Sequence, residues 1–261
     1  MIKFTIVTIT FNAQAVLERT LNSVLQQTYD GVEHLIIDGA STDHTLKMAG
    51  RYKQQSDAAD NEHQVIIRSE PDEGIYDAMN KGLTQASGDY ILFLNAGDCF
   101  PEANTLEQVA HIARLNECPS DELPAVLYGH TDIVDGEGNF LRHRRLHPHD
   151  GLTWRSFRHG MLVCHQAFYA RTDLAKNLPY DTTYKYSADV DWCIRVMREA
   201  ERTGHSLLYI NKVVANYPEE GTTTRHHKES LHERYNIMCR HYGTLTTIAM
   251  HGWFAIRQLF K

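Results

Sequence analysis

The segment from residue 69 to residue 98 constrains the fold more than any other part of this chain. Its apolar residues recur at helical spacing from Ile75 to Ala86, a Ser-Gly pair ends the helix, and the apolar run 90–94 follows at once. An unbroken apolar strand suits the interior of a parallel sheet that is covered on both faces. The run continues into Asn95-Ala-Gly-Asp98. Polar residues at the carboxyl end of such a strand stand where open α/β sheets bind ligands, so this turn is the first candidate site.

Strand and helix patterns alternate four times in the first half of the chain. Runs rich in Ile, Val and Leu predict strands at 3–10, 33–38, 65–67 and 90–94, with a helical pattern or a helix-start signal after each. This order predicts right-handed βαβ units, a mostly parallel central sheet flanked by helices, and an α/β nucleotide-binding fold.

The second half alternates less regularly. The segment Gly136-Glu-Gly-Asn139 is typical of a hairpin turn. Gly221 to His227 reads as a polar turn before the last helices. The other predicted elements are helices at 104–115, from Ser187, at 229–242 and at 245–260, and strands at 125–128, 132–135, 207–210 and 213–217.

Charge limits the classes of partner. A formal net charge of -7 over 261 residues argues against nucleic acid. The exception is a basic concentration between Arg142 and His159. Two interpretations stay open for it, namely a solvated loop or a clamp for a phosphate-bearing substrate.

Cysteine usage and hydropathy bear on location. The five cysteines are scattered and form no CxxC pair, so neither a disulfide framework nor a zinc knuckle is indicated. The first residues do not resemble a signal peptide, and no run is long and apolar enough to span a membrane. A cytoplasmic location is therefore expected. The amphipathic tail at 245–260 either packs on its own domain or a partner, or gives peripheral contact at the inner membrane.

Four motifs stand in order along the chain: Val7 to Asn12, Asp38 to Thr45, Asn95 to Asp98, and Ala188 to Trp192. In this order they resemble the inverting family 2 glycosyltransferases of the GT-A fold, especially bacterial enzymes of exopolysaccharide, colanic-acid and O-antigen assembly. The resemblance covers roughly 3–220.

The resemblance implies transfer of a hexose from a UDP-, GDP- or TDP-sugar to a saccharide or lipid-linked acceptor. It implies a GT-A domain over 1–220, with a nucleotide-binding half at 1–100 and an acceptor half at 101–220, and a C-terminal helical extension at 221–261. A non-catalytic nucleotide-sugar or saccharide binding module on the same fold is the alternative, because a fold does not determine a function.

Six residues are candidates for nucleotide binding. An aromatic ring can cover a nucleobase, and a carboxylate at a strand end can accept a base N–H, as the family's uracil-reading aspartate does. Strand ends also cap helices and form turns, which is the competing interpretation of the same residues. The candidates are Thr8, Phe11, Asn12, Asp38, Asp72 and Asn95.

The resemblance also implies a divalent cation, Mg²⁺ or Mn²⁺. Here the family's acidic DxD is reduced to Asn95-Ala-Gly-Asp98, which leaves Asp98 as the cation-binding aspartate. One carboxylate needs further ligands from diphosphate, water or a distant side chain. His226, or else His227, is the candidate for a late protein ligand, and exposed loop histidines are the alternative.

Asp189 and Asp191 begin a helix, where the helix dipole favours ionised carboxylates. Inverting transfer needs a carboxylate to take the proton from the acceptor hydroxyl. By resemblance Asp189 is favoured as that base, with Asp191 second and helix capping as the alternative. His165 and Gln166 are expected near the acceptor.

Overall fold

A computed structural model describes residues 1–59, 61–219 and 226–259. The first half alternates strands and helices as predicted. Its elements are β1 (Phe4–Thr10), α1 (Leu17–Leu25), β2 (Val32–Asp38), α2 (Thr45–Ala58), β3 (Gln64–Ser69), α3 (Ile75–Gln85) and β4 (Tyr90–Phe93).

The second half contains the remaining helices and strands and two short 3₁₀ helices, Trp154–His159 and His165–Ala167. Its elements are α4 (Thr105–Ile112), β5 (Val126–Val134), β6 (Phe140–His143), β7 (Phe168–Arg171), α5 (Thr172–Ala175), α6 (Ala188–Thr203), β8 (Leu207–Pro218), α7 (His227–Tyr242) and α8 (Thr244–Leu259). The predicted polar turn falls largely on 221–225, and the predicted domain boundary on 220–221; both lie outside the described residues.

The strands form one eight-stranded mixed sheet in the order β3-β2-β1-β4-β7-β5-β6, with β8 beside β5. The strands β3, β2, β1 and β4 are parallel, whereas β7 runs antiparallel to both β4 and β5. The chain moves outward from β1 to β3 and then returns to place β4 on the other side of β1. In an open sheet this reversal leaves a crevice at the carboxyl ends of β1 and β4, which is where ligands bind.

Two pairs of predicted short strands are each one continuous strand. Residues 125–128 and 132–135 belong to β5, and 207–210 and 213–217 belong to β8. The pairing of β5 with β8 is irregular around Gly129, where an added Cβ would lie 2.7 Å from the Lys212 carbonyl oxygen. Asn211 crosses the irregular region with a positive φ of 51°. The gaps between the predicted short strands therefore correspond to a local distortion within two continuous, paired strands.

Buried aromatic rings fix α6 against the sheet. The Trp192 ring lies 4.8 Å from the ring of Tyr180 and 5.8 Å from that of Phe93 on β4, and all three are buried. Burial of rings of this size contributes several kcal/mol of hydrophobic free energy. This packing holds the amino end of α6 beside the carboxyl end of β4.

Helix α7 is tied to the segment that starts α6. Both oxygens of Glu233 accept backbone N–H groups, one from Lys185 at 2.7 Å and one from Tyr186 at 2.8 Å. The hydroxyls of Ser187 and Ser230 lie 3.0 Å apart. The helical extension is thus bonded directly to the start of α6.

Among the helices of 1–59, 61–219 and 226–259, none has both the length and the apolar character needed to cross a bilayer.

Candidate active site

The turn after β4 presents a buried carboxylate. Gly97 has a positive φ of 102°, which lets the chain fold back so that Asp98 Oδ2 accepts the Asn95 N–H at 3.1 Å. The same oxygen accepts a bond from Gln166 Nε2 at 3.1 Å. Burial raises the pKa of Asp98 to about 6, against the opposing effects of His165 and Gln166. Asp98 therefore changes charge close to neutral pH.

Two further oxygens at this turn lack partners. Asn95 Oδ1 and Gln166 Oε1 are buried and make no hydrogen bond within the described part of the chain. Unpaired buried polar atoms are uncommon and point to a missing ligand or ion. Together with Asp98 they form a set of hard oxygen donors, the type that Mg²⁺ and Mn²⁺ prefer.

A metal site made only of ionisable ligands is not formed by 1–59, 61–219 and 226–259, because no three His, Cys, Asp or Glu side chains are grouped to hold an ion. His226 is exposed, and its ring stacks on that of Tyr186 at 4.7 Å. The role of His226 as a late ligand stays a prediction.

Asp189 lies in the first turn of α6 and is held from two sides. Its Oδ1 accepts the Tyr76 hydroxyl at 3.2 Å, and its Oδ2 lies 3.3 Å from His165 Nδ1. Burial raises the pKa of Asp189, but His165, Arg234 and Tyr76 together outweigh burial and bring the pKa below the ordinary value. Asp189 is therefore an ionised, partly enclosed carboxylate.

His165 connects Asp189 to the turn after β4. Its Nε2 lies 3.3 Å from Asn95 Nδ2. With the amide N–H donating to Nε2, the imidazole proton sits on Nδ1 and faces Asp189. His165 and Gln166, which were both predicted to lie near the acceptor, therefore contact different carboxylates. Gln166 contacts Asp98, and His165 contacts Asp189.

Asp191 points away from this cluster. It lies two residues after Asp189 on a helix that turns about 100° per residue, so the two side chains leave opposite faces. Its oxygens pair with Arg195 Nε at 2.6 Å and His241 Nε2 at 2.7 Å, and the carboxylate is fully buried. The arrangement does not support Asp191 as a base, because its oxygens hold α6 to α7.

An exposed aromatic ring and a carboxylate meet at the ends of β1 to β3. Phe11 is 65% exposed, and Asp72 is half-buried. A Cβ at Gly39 would lie 2.3 Å from Asp72 Oδ2 and 3.4 Å from Phe11 Cδ2. Glycine at 39 therefore leaves the space that the Asp72 carboxylate occupies beside the Phe11 ring.

Asp38 underlies this spot but does not reach its surface. The carboxylate is fully buried and accepts bonds from the hydroxyls of Thr10, Ser41 and Ser69 and from the backbone of Ser41. Four donors saturate its oxygens. The prediction that Asp38 contacts the nucleobase is not supported by this geometry, in which Asp38 holds three strand ends together.

Thr8 and Asn12 also make hydrogen bonds that join neighbouring strands and turns. Thr8 is fully buried, donates to the Leu94 carbonyl at 2.8 Å and lies 2.8 Å from His34 Nε2. Thr8 therefore has no surface for a ligand, contrary to its prediction. Asn12 is exposed with a φ of 48°, and its Oδ1 accepts the Thr42 N–H at 2.9 Å. Asn12 thus joins the turn after β1 to the turn after β2.

Tyr76 and Arg234 are site residues that sequence reasoning missed. Tyr76 bonds Asp189, and its position just after Asp72 was the available signal. Arg234 lowers the pKa of Asp189 from α7, and its Nε is buried without a partner among the described residues. One arginine in an amphipathic helix carries no such signal in the sequence.

Similarity to known sequences assigns this chain to a family. The sequence model described as Glycosyl transferase family 2 matches residues 5–177. The chain belongs to this family. A relative, the PGL/p-HBAD biosynthesis glycosyltransferase of Mycobacterium bovis (strain BCG / Pasteur 1173P2), is 35% identical over 219 residues, which are 84% of this chain and 77% of the relative.

One further sequence relative and one solved structure are similar to this chain. The amylovoran biosynthesis glycosyltransferase AmsB of Erwinia amylovora is 26% identical over 83% of this chain and 69% of its own length. TarS of S. aureus, solved with UDP, superposes with a TM-score of 0.67 at 16% identity, over 99% of this chain and 72% of that chain. The predicted GT-A fold and family 2 glycosyltransferase class are confirmed. The relatives do not single out colanic-acid or O-antigen enzymes.

Proposed function

We propose that this family 2 enzyme transfers a hexose, with inversion, from a nucleoside diphosphate sugar to a hydroxyl of a saccharide or lipid-linked acceptor. One observation carries the proposal. Asp98 and Asp189 come from distant parts of the chain and meet in one network through Asn95, His165 and Gln166. A leaving-group site and a base in one crevice are what glycosyl transfer requires.

The nucleotide is assigned to the ends of β1 to β3. The exposed Phe11 ring offers a stacking face, and the adjacent Asp72 carboxylate can accept an N–H from uracil, thymine or guanine. TarS of S. aureus has been solved with UDP-GlcNAc, and the mannosyltransferase PcManGT of Pyrobaculum calidifontis with GDP-Man and Mn2+. The donor is accordingly a UDP-, TDP- or GDP-sugar.

The oxygens of Asn95, Asp98 and Gln166 fit a hard divalent cation, Mg²⁺ or Mn²⁺. Such an ion, when bound, neutralises negative charge on the departing diphosphate. Binding requires Asp98 to be ionised, so cation affinity rises as pH increases through about 6.

Asp189 is the proposed base. The acceptor oxygen attacks the anomeric carbon while Asp189 takes the hydroxyl proton. The bond between the anomeric carbon and the phosphate oxygen breaks, and its electron pair leaves with the nucleoside diphosphate. Attack opposite the leaving group inverts the configuration. Tyr76 and His165 keep the Asp189 carboxylate ionised and oriented.

The test is release of nucleoside diphosphate from a panel of UDP-, GDP- and TDP-sugars, with the product's anomeric configuration read by NMR. Asp189→Asn should fold normally and lose roughly 10²–10⁴ in turnover. Asp57→Asn, which changes an exposed carboxylate on α2 paired with Lys53, is the matched control and should act as wild type.

If nucleoside diphosphate is released from none of the donors, the non-catalytic binding module becomes the favoured function. No observation described above supports that module. Wild-type turnover by Asp189→Asn would remove Asp189 as the base.

We further propose that α8 contacts the membrane that carries a lipid-linked acceptor. Its outward residues Leu245, Ile248 and Trp253 are exposed, Leu245 to 86%, and no Asp or Glu occurs after Glu233. Apolar side chains on a helix without negative charge suit an anionic lipid surface. Replacing all three by Ser should reduce sedimentation with phosphatidylglycerol vesicles, and unchanged sedimentation would contradict the proposal.

A further inference from the structure

A groove of about 470 Å³ lies outside the network described above, on the hairpin of β5 and β6 and on the end of β8. Three of its six lining residues are arginines. The lining residues are Ile133, Arg142, Arg144, Arg145, Leu146 and Tyr217. The chain has a net charge of -7, so a cavity lined by three arginines is a positively charged region on a negatively charged protein.

The three arginines differ in the groups that contact their guanidinium charges. The guanidinium of Arg144 donates to the carbonyls of Leu146, Met161 and Leu162, so it is fixed in place but meets no carboxylate there. Arg142 pairs with Glu219 at 3.0 Å, and both side chains are about half exposed. Arg145 is exposed and makes no hydrogen bond or ion pair with any described residue. The groove therefore keeps an uncompensated positive charge.

The groove adjoins the active site. Tyr217 follows Asn216, whose backbone exchanges two hydrogen bonds with Cys99, the residue after Asp98. A Cβ at Gly97 would lie 3.6 Å from the ring of Pro218. The end of β8 thus runs along the turn that presents Asp98.

The position in the sheet separates the groove from the proposed nucleotide site. β4 and β7 lie between β1 and β3, which precede Phe11 and Asp72, and the strands β5, β6 and β8 that form the groove. Charge placed there lies next to the turn that presents Asp98 and away from Phe11 and Asp72.

We propose that the arginine groove binds the phosphate or diphosphate of an anionic acceptor, an inference that rests on the proposed glycosyl transfer. Guanidinium groups bind phosphate oxygens through paired, charge-assisted hydrogen bonds. Arg144 supplies a fixed wall, and Arg142 and Arg145 supply donors that can turn toward the anion. The acceptor's phosphate then anchors the molecule while its sugar hydroxyl reaches Asp189.

Binding of farnesyl diphosphate in EDTA, with farnesol as the phosphate-free probe, tests the groove without requiring turnover. Arg145→Gln should weaken farnesyl diphosphate binding by roughly tenfold, and Arg142→Gln together with Arg145→Gln by more. Farnesol binding should not change. Glu219→Gln should strengthen farnesyl diphosphate binding, because Arg142 loses its neutralising carboxylate. Arg51→Gln, an exposed arginine on α2, is the control and should have no effect.

Three results would overturn the assignment. Unchanged affinity in the double variant would remove the groove as the binding site. Complete displacement of farnesyl diphosphate by UDP would assign the ligand to the donor site. If the arginine variants bound phosphatidylglycerol vesicles less well but kept their affinity for farnesyl diphosphate, the anion would be a lipid headgroup. Failure of the proposed function is distinguishable, because it appears as absent nucleotide release in wild type whatever the arginine variants do.

Discussion

Asp98→Asn should stabilise the protein while abolishing transfer. Asp98 is 5% exposed, and burial raises its pKa from 3.8 to about 6. A carboxyl group with a raised pKa favours the folded state when protonated and disfavours it when ionised. Asparagine has nearly the same shape, never ionises, and can present its oxygen to the two donors of Asn95 and Gln166.

The magnitude follows from the pKa difference. The difference between a pKa of 3.8 in the unfolded state and about 6 in the folded state corresponds to about 3 kcal/mol, because one pKa unit is about 1.36 kcal/mol. Below pH of about 4 the carboxyl is protonated in both states, and no difference is expected. As pH rises from about 4 to about 6, the unfolded state ionises before the folded state, so wild type loses this free energy of unfolding and the variant does not. At pH 8 the variant should therefore be more stable by about 1–3 kcal/mol, the lower figure allowing for imperfect hydrogen bonds.

Urea unfolding in EDTA at several pH values measures this difference. Asp191→Asn is the matched comparison, because Asp191 is equally buried but paired with Arg195 and His241, which bring its pKa below the ordinary value against the effect of burial. Stability from a lowered pKa is present near neutral pH and is lost in acid. Asp191→Asn should therefore destabilise the protein at pH 8 by about 3–5 kcal/mol.

The two buried aspartates should thus give opposite signs. Asp98→Asn that destabilises the protein at pH 8, or a stability difference that does not change between pH 4 and pH 8, would refute the reasoning about burial at Asp98.

Two further predictions concern the donor site and the base. Gly39→Ala should raise the donor KM by roughly tenfold, because its Cβ displaces the Asp72 carboxylate. The free energy of unfolding should change by less than about 1 kcal/mol. An unchanged donor KM would exclude Asp72 from nucleotide binding. Tyr76→Phe removes a hydrogen bond that lowers the pKa of Asp189, so the pKa of Asp189 should rise. A carboxyl ¹³C NMR titration measures this pKa directly, because Asp98, with a pKa of about 6, controls the acidic limb of the kcat/KM profile. An unchanged pKa would show that the Tyr76 hydroxyl does not act on Asp189.

Strand ends were predictable from the sequence, and much of the site follows from them. The ends of β1 and β2 at Thr10 and Asp38 were predicted to the residue, because apolar runs end where the sheet ends. The meeting of the turn at Asp98 with the helix at Asp189 was also predicted, by resemblance, and in the structure His165 lies 3.3 Å from both Asn95 of that turn and Asp189.

The roles of individual carboxylates were not predictable, because they depend on partners distant in sequence. Nothing local to Asp38 shows that Ser69 completes its four hydrogen bonds. Helical spacing separates Asp189 from Asp191, but only the position of His241 on α7 decides which of them is enclosed. The unbroken strands β5 and β8 likewise depend on pairing that continues past Gly129.

A donor-bound crystal structure tests the central claim most directly. We expect the nucleobase against Phe11 with an N–H directed to Asp72, the diphosphate beside Asp98, and the anomeric carbon open to an acceptor hydroxyl held within roughly 3.5 Å of Asp189. A nucleotide bound elsewhere, or an anomeric carbon shielded from Asp189, would contradict the account.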